Sequence, residues 1–450
     1  MEPKLEKKFG LITAIAMVVG IVIGSGVFFK AEKILTATGG DLKKGILAWV
    51  IGGIIMISCA YTFSVMATRY QYVNGVVDYA EATMGKKYAF YVGWFMAIIY
   101  YPTITSVLAW VSARYTCVIL GFSITGGECM TIACLYLVAS FTLNALSPVL
   151  AGKFQVSTTV IKLVPLFLMA VVGTFMGVRS GMTAYNFTHY VSQGTSGGLF
   201  TAIVAASFAY EGWIIATCIN AELKDAKKNL PLALIAGTFI TMSVYILYYI
   251  GLAGTIKNEV MMAGGETGAK LAFQTIFSSA GGTLLFVFVI ISCLGTLNGL
   301  MLGCTRGIYS IAARGIGPNP KVFSQVDPTT NMPVNSAILG LFLCAVWLLY
   351  FYGANLTTSW FGFFSFDSSE LPIVTIYALY IPIFLMFMKK EKELTFFNRF
   401  LMPSISLLGS IFMIIAAWFA HGMAVVAFLI VYLVVMALGA LILRLKKTTL

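Results

Sequence analysis

Charged side chains are scarce in this sequence, and the residues that usually build catalytic or metal centres are scarcer. Only 10% of the 450 residues are Asp, Glu, Lys or Arg, and there are two histidines. The eight cysteines include no C-x-x-C pair, and the chain has no H-E-x-x-H, G-x-S-x-G or paired-aspartate motif. These absences argue against metal, redox and hydrolytic chemistry. The sequence therefore predicts no enzyme, no cofactor and no metal site.

The rest of the chain is strongly apolar. Hydrophobic residues make up 59% of it, and the mean hydropathy is +0.92, which the surface of a water-soluble domain of this size would not tolerate. A bilayer core of about 30 Å needs about 20 apolar residues per helix. The apolar runs predict one all-α transmembrane domain over residues 1–450 with twelve spans, near 10–37, 44–68, 88–119, 129–149, 154–177, 197–221, 230–254, 277–312, 333–353, 358–388, 401–420 and 422–444.

Basic residues are distributed unevenly among the predicted connections. The net charge of +12 arises from short groups of Lys and Arg, most of which fall on the side of the N-terminus if twelve spans alternate. This pattern is typical of cytoplasmic loops, and it predicts a cell-membrane protein with both termini in the cytoplasm and no nucleic-acid partner. The loop with Lys30, Lys33, Lys43 and Lys44 is the exception to it. No removable signal peptide is expected.

Two of the predicted spans contain residues that weaken a helix near its middle. The first span contains Gly24, Ser25 and Gly26, and the sixth contains residues 207–213, SFAYEGW. Because these breaks lie five spans apart, they indicate inverted repeats with discontinuous helices at the middle of the membrane. We expect repeats at 10–177 and 197–388, with appended helices at 401–444.

The glycines of the first span allow two interpretations. An unwound backbone at Gly24, Ser25 and Gly26 exposes N–H groups, and a half-helix that begins after it adds its positive end, so a carboxylate could bind there. Alternatively, Gly20 and Gly24 form a G-x-x-x-G pattern that would serve close helix packing. The second break favours the binding interpretation.

Two ionisable residues lie alone within apolar spans. Glu211 would cost several kcal/mol if it were ionised and faced lipid, so it is expected to face a cavity or a partner. It could contact substrate, carry a proton or be a capped structural carboxylate, and burial could keep it neutral or direct it to Lys162 or a backbone donor. Lys162 could hold the broken helices in register or extend to the membrane interface. The loop at 222–231 is expected to be a solvated, salt-bridged surface, and it could also act as an inner gate.

Four groups of residues together resemble the L-type amino acid transporter family, which belongs to the amino acid, polyamine and organocation superfamily and has the LeuT fold. The resemblance covers nearly the whole chain in order and spacing. Its motifs are residues 24–28 (GSGVF), 208–213 (FAYEGW), the 221–231 loop, and 295–299 (GTLNG) with Arg306 and 314–315.

This resemblance implies an α-amino acid substrate. Its carboxylate would meet N–H groups at the first break, and its ammonium would meet backbone carbonyls near Val22, Phe208 and Glu211. Phe208 would also act as a gate, and Lys162 would stand where sodium-driven relatives bind a cation. The expected substrate-binding residues are Val22, Ile23, Gly24, Ser25, Gly26, Phe208, Ala209 and Glu211. The expected gating or structural residues are Lys162, Phe208, Trp213 and Asn298.

The predicted function is sodium-independent transport, with exchange of small or medium neutral L-amino acids by alternating access. Ile214 and Ile215 replace polar residues of many relatives, so side-chain preferences of those relatives do not transfer. A carrier of cationic amino acids, by exchange or proton coupling, is the alternative. A channel or receptor is the alternative from another class, although neither polar pore rings nor sizeable outer domains are visible. Expected partners are the substrate and membrane lipid, and no accessory subunit is indicated.

Overall fold

The computed structural model describes residues 5–70, 72–191 and 198–447. Across these ranges, eleven helices are long and apolar enough to cross a membrane, and the two shorter helices of the first span precede them. The predicted set of twelve spans is therefore present. Residue 197, at which the predicted second repeat begins, lies outside the described ranges.

We number the spans in chain order. Span one consists of Leu11–Val22 and Gly26–Ala37, and it is followed by Leu42–Arg69, Lys86–Leu120, Gly127–Leu146, Pro148–Ser180 and Gly198–Glu222 as spans two to six. Spans seven to twelve are Ala226–Ala253, Gly268–Ala312, Val334–Leu356, Leu371–Lys390, Phe397–His421 and Met423–Leu445. Short helices in the connections are Gly75–Met84, Met182–Thr188, Asn258–Gly264 and Pro320–Phe323.

Two predicted boundaries differ from the structure for local reasons. Span ten begins at Leu371 and not near residue 358, because Gly362 has a left-handed φ of +53° and the Asp367 carboxylate accepts the backbone N–H of Ser369 at 2.7 Å. The helix of span eight begins at Gly268 and not near 277. Non-helical backbone at Phe277 and Ser278 separates this extra segment from the predicted span.

The broken spans lie at the centre of the bundle. In span six, 94% of the apolar membrane window is buried, whereas only 17% of that of span twelve is. The first half of span one packs against spans five, six, seven and eight, and the first part of span six packs against span two and the second half of span one. Backbone irregularity is therefore surrounded by protein, which is the condition for tolerating it at membrane depth.

The segment before span one covers one end of the bundle. The N–H groups of Lys8 and Phe9 donate to the carbonyl of Glu222 at 2.9 and 3.0 Å, and Lys224 N–H donates to the Phe9 carbonyl at 2.9 Å. We call the end of the bundle that carries this segment the near side and the opposite end the far side. Twelve alternating spans place both chain ends on the near side.

Candidate substrate site

The first break is an interruption of three residues between two helices. The first half of span one ends at Val22, Ile23 leaves the helical region with ψ of 85°, and the second half begins at Gly26. The first N–H groups of a helix have no partner within it, and its N-terminal end carries partial positive charge. The break therefore presents backbone donors of the kind that bind carboxylates.

The glycines of span one have different surroundings. A Cβ at Gly20 would collide with the side chains of Thr159 and Gln155 in span five. At Gly24 and Gly26 the nearest atoms would lie at 3.5 Å and 3.7 Å, which is ordinary van der Waals contact. The packing interpretation is thus correct for Gly20 and wrong for Gly24, where no neighbouring helix requires a glycine.

The second break uses a glycine for its backbone conformation. The α-helix of span six ends at Ala209, Gly212 has a left-handed φ of +109°, and a 3-10 helix begins at Trp213. The Tyr245 hydroxyl of span seven lies 3.0 Å from the Val22 carbonyl oxygen and 3.1 Å from that of Ala209. This hydroxyl therefore joins the two breaks, a role that the hydropathy pattern of an apolar span does not reveal.

A cavity of about 140 Å³ lies between the two breaks. One water molecule needs about 10–15 Å³ of such space, so the cavity has room for a small organic molecule. Its lining includes seven of the eight predicted substrate-binding residues: Val22, Gly24, Ser25, Gly26, Phe208, Ala209 and Glu211. The remaining lining residues, which are not among the predicted substrate-binding residues, are Ile21, Lys30, Ile104, Leu108, Gly212, Thr296, Leu300 and Ile373. Ile23 is the eighth predicted residue, and it does not line the cavity.

Glu211 is 8% exposed and hydrogen-bonded to a tyrosine. Its Oε1 accepts the Tyr100 hydroxyl at 2.8 Å, and its Oε2 has no hydrogen bond of good geometry, although the Tyr377 hydroxyl is nearby. Among the described residues, no Lys or Arg acts on this carboxyl group as a partner. The suggested pairing of Glu211 with Lys162 is therefore wrong, because the lysine is held elsewhere.

Lys162 is fully buried and does not extend to the membrane interface. Its Nζ donates to the carbonyls of Gly20, Ile23 and Ser292 at 2.7, 2.6 and 2.8 Å, and it lies 3.2 Å from the Thr296 hydroxyl. The Ile23 carbonyl thus accepts a hydrogen bond from the lysine, and Ile23 does not line the cavity. Spans one, five and eight meet at this single ammonium group.

Asn298 and Trp213 lie outside the cavity lining. The Asn298 amide donates to the Ala151 carbonyl at 3.1 Å and to the Gln155 side chain at 3.0 Å, and its oxygen accepts Asn144 at 3.0 Å. Trp213 is fully buried, with its ring centroid 5.9 Å from that of Phe63. Their contacts are with neighbouring helices, which agrees with the structural part of their predicted role.

The near side is closed by buried ion pairs. Glu222 is fully buried and pairs with Arg306, which is 1% exposed, and with Lys8 at 3.3 Å. Arg314 pairs with Asp78 and, at 2.7 Å, with Glu81. The default expectation of a solvated loop is therefore wrong for Glu222, because Lys8 and Phe9 lie against it.

Two broken helices around a small cavity, with an amine fixed behind the first break, form a site that can receive both ends of an amino acid. A model of the amino acid permease family matches residues 9–441. The chain belongs to the amino acid permease family. The permease is accordingly a multi-pass membrane transporter and not an enzyme, and the resemblance found in its motifs is confirmed.

Known proteins resemble this permease over most of its length. The serine/threonine exchanger SteT of Bacillus subtilis (strain 168) is 30% identical over 380 residues, which are 84% of the permease and 82% of SteT. The human b(0,+)-type amino acid transporter 1 is 24% identical over 422 residues, 92% of the permease and 84% of that protein. The crystal structure of MhsT in complex with L-phenylalanine matches with a TM-score of 0.59 and 13% identity over 96% of the permease and 99% of that chain. This last similarity shows the shared LeuT-like fold.

Proposed function

We propose that the permease exchanges small or medium neutral L-amino acids across the cell membrane, without sodium, by alternating access at the cavity between the two breaks. The observation that carries the proposal is the position of the Lys162 ammonium group among three carbonyls and a hydroxyl of spans one and eight. Unwound carbonyls of this kind hold coupling cations in transporters with broken helices.

A fixed ammonium group replaces such a cation in two respects. It satisfies the carbonyls of Gly20 and Ile23, which the break leaves without helical partners, and it ties span one to spans five and eight. It also repels a sodium ion from the same oxygens. Transport is therefore expected to proceed at the same rate when sodium is replaced by another monovalent cation.

The two breaks offer complementary groups to an α-amino acid. Backbone N–H groups at Ser25 and Gly26 would receive the carboxylate, and the carbonyls of Val22 and Ala209, which share the Tyr245 hydroxyl, would receive the ammonium. Phe208 lines the same cavity and is 9% exposed, so its ring would cover a bound substrate as a gate.

The lining favours a neutral substrate side chain. Ile104, Leu108, Leu300 and Ile373 are apolar, and the Lys30 side chain also reaches the cavity. A small neutral side chain would meet apolar surface there, and the Lys30 charge is already balanced by Glu370 at 3.2 Å. The relative SteT is a serine/threonine exchanger, which supports both exchange and a small neutral substrate.

One observation favours the alternative, a carrier of cationic amino acids. Glu211 lines the cavity, and its Oε2 lacks a hydrogen bond of good geometry, so an ionised carboxylate there could receive an amine from a dibasic substrate. The Tyr100 hydroxyl already engages the other oxygen. We rank this alternative second because no further acidic residue lines the cavity.

The proposal includes the orientation and the internal symmetry. We infer that the near side faces the cytoplasm and that 10–177 and 197–388 are inverted repeats with 401–444 appended. The excess of basic residues in near-side connections supports the orientation. The breaks in spans one and six support the repeats.

Uptake by the chain alone, reconstituted into liposomes, tests these statements together. Labelled serine, threonine, alanine, leucine, lysine and arginine would be offered with and without internal amino acid, in sodium or in choline. Uptake of neutral amino acids that needs internal amino acid and ignores sodium supports the proposal. Uptake that collapses in choline at fixed pH refutes the role of Lys162, and uptake of only lysine and arginine establishes the alternative.

A further inference from the structure

Three charged or titratable side chains meet above the cavity on the far side. The Glu370 carboxylate, one residue before span ten, lies 3.2 Å from the Lys30 Nζ of span one and 3.0 Å from the His421 Nε2. His421 is the last residue of span eleven, and its ring centroid lies 6.5 Å from that of Phe208. The contacts thus connect both broken spans to spans ten and eleven.

This cluster lies over the cavity on the far side. Lys30 and Phe208 both line the cavity, and Glu370 and His421 are in direct contact with these two side chains. A substrate arriving from the far side must pass the Phe208 ring and the Lys30–Glu370 ion pair. Opening therefore requires that the second half of span one move away from the start of span ten.

The charges that act on His421 come from the segment before span ten and from span one. Glu370 and Asp367 face it from the segment before span ten, and Lys30 faces it from span one. Glu32, on the same half-helix as Lys30, accepts the Thr36 hydroxyl at 2.8 Å. Asp41, the residue before span two, is paired with Lys44 at 3.3 Å. The C-terminal end of span eleven also favours a cation at His421.

Glu370 remains ionised over the physiological pH range. Burial alone would raise the pKa of its carboxyl, but contacts with His421 and Lys30 outweigh burial and lower that pKa to about 2. The group of this cluster that can change charge between about pH 5 and 8 is therefore the imidazole.

We propose that Lys30, Glu370 and His421 form a far-side latch, and that a proton on His421 holds it closed. When His421 is protonated, two cations hold Glu370, and the start of span ten must leave both Lys30 of span one and His421 of span eleven for the far side to open. When His421 is neutral, Lys30 holds Glu370 without a second cation, and the far side opens more readily. Span eleven would in this way make substrate entry sensitive to the pH outside the cell. This inference rests on the alternating access proposed above.

The test measures access to the cavity without using a substrate. A cysteine at Leu108, which lines the cavity, would report opening through its rate of modification by a membrane-impermeant thiol reagent added to intact cells. The exposed Cys134 would be replaced by serine first. Rates would be measured at about pH 5.5 and about pH 8 in the parent and in the variants His421→Gln, His421→Arg and Glu370→Gln. Each variant's rate would be divided by the parent's rate at the same pH, because this ratio cancels the pH dependence of the thiol itself.

We expect the cysteine at position 108 to be modified roughly threefold to tenfold faster in the His421→Gln variant than in the parent near pH 5.5, and equally fast in both near pH 8. His421→Arg should be slow at both values, and Glu370→Gln fast at both. His189→Gln is the matched control, since His189 is the other histidine and is exposed beside Tyr185 and Thr188. A parent-to-His421→Gln ratio that is the same at both values, or an equal change in His189→Gln, overturns the latch.

The result of the cysteine-modification test can be distinguished from the result of the uptake test of the proposed function. If uptake shows a different substrate class while modification still follows His421, the latch stands and the substrate assignment fails. If neutral exchange is confirmed and modification ignores His421, the latch alone fails. His421→Arg, which keeps a charge, and Glu370→Gln, which keeps the shape, should change modification in opposite directions, which misfolding would not produce.

Discussion

Replacement of Lys162 by alanine is the sharpest test of how the permease holds its first break. The ammonium group makes three hydrogen bonds to carbonyls within 2.8 Å and is completely buried. Lys162→Ala removes these three donors and leaves space around oxygens of Gly20, Ile23 and Ser292. The helix break, rather than the remote parts of the bundle, should therefore be affected first.

The structure allows an order-of-magnitude expectation. A hydrogen bond from a charged donor contributes about 1.5–3 kcal/mol, so three give a gross loss of roughly 5–9 kcal/mol. Part of this is offset because the Ser292 and Thr296 hydroxyls still donate to the Ile23 and Gly20 carbonyls, at 3.0 and 2.9 Å. The desolvation cost of the buried ammonium also disappears. A net effect of about 2–3 kcal/mol would slow exchange roughly 30-fold to 150-fold at unchanged protein amount.

The assay is initial-rate exchange in liposomes, with sodium or choline on both sides. We expect slow exchange by Lys162→Ala in choline and partial recovery in sodium, because the carbonyl and hydroxyl oxygens then resemble a cation site. Lys153→Ala is the matched control, since Lys153 is exposed on the same helix. Wild-type exchange rates by Lys162→Ala in choline would refute the tether, and an equal loss in Lys153→Ala would show a nonspecific effect of removing a lysine from span five.

Three further substitutions test the cavity itself. Gly26→Val should reduce substrate affinity at least tenfold without loss of the folded bundle, because the protein leaves room for a Cβ there. Gly20→Val, the control, should instead lower the thermal stability. Unchanged affinity in Gly26→Val would contradict the carboxylate site. Phe208→Ala should raise the apparent Km or allow uptake without exchange, and wild-type kinetics would show that the ring only packs. Glu211→Gln should leave competition by neutral amino acids dominant, whereas dibasic inhibition that is strong in the parent and absent in the variant would establish the cationic alternative.

The sequence predicted the parts of the site that depend on backbone irregularity. Glycines and a lone acid interrupt apolar spans at two corresponding places, and this pattern favours two helix breaks around a cavity without any knowledge of the neighbouring helices. Gly24, Ser25, Gly26 and Glu211 were accordingly placed in the lining that the structure has.

Residues that act through tertiary contact could not be found in this way. Ile104 and Leu108 lie four residues apart on span three, as lipid-facing residues also do, so periodicity does not show that they line a cavity. The partner of Glu211 is a tyrosine from span three, and a buried hydroxyl leaves no trace in a hydropathy pattern. Glu222 appeared to belong to a solvated loop because the segment that buries it precedes it by more than two hundred positions.

The Tyr245 hydroxyl has a further consequence for ligand selection. It offers one proton to two backbone carbonyls, those of Val22 and Ala209, which lie 3.0 and 3.1 Å away. The Val22 oxygen also accepts the Gly24 N–H at 2.9 Å, so the shared proton leaves the Ala209 oxygen the less satisfied of the two, and this wall of the cavity can accept a further donor. A molecule with a primary ammonium group brings three N–H donors and can supply it. An α-hydroxy acid of the same shape brings one O–H donor. We expect it to be excluded because it has too few donors and not because it does not fit.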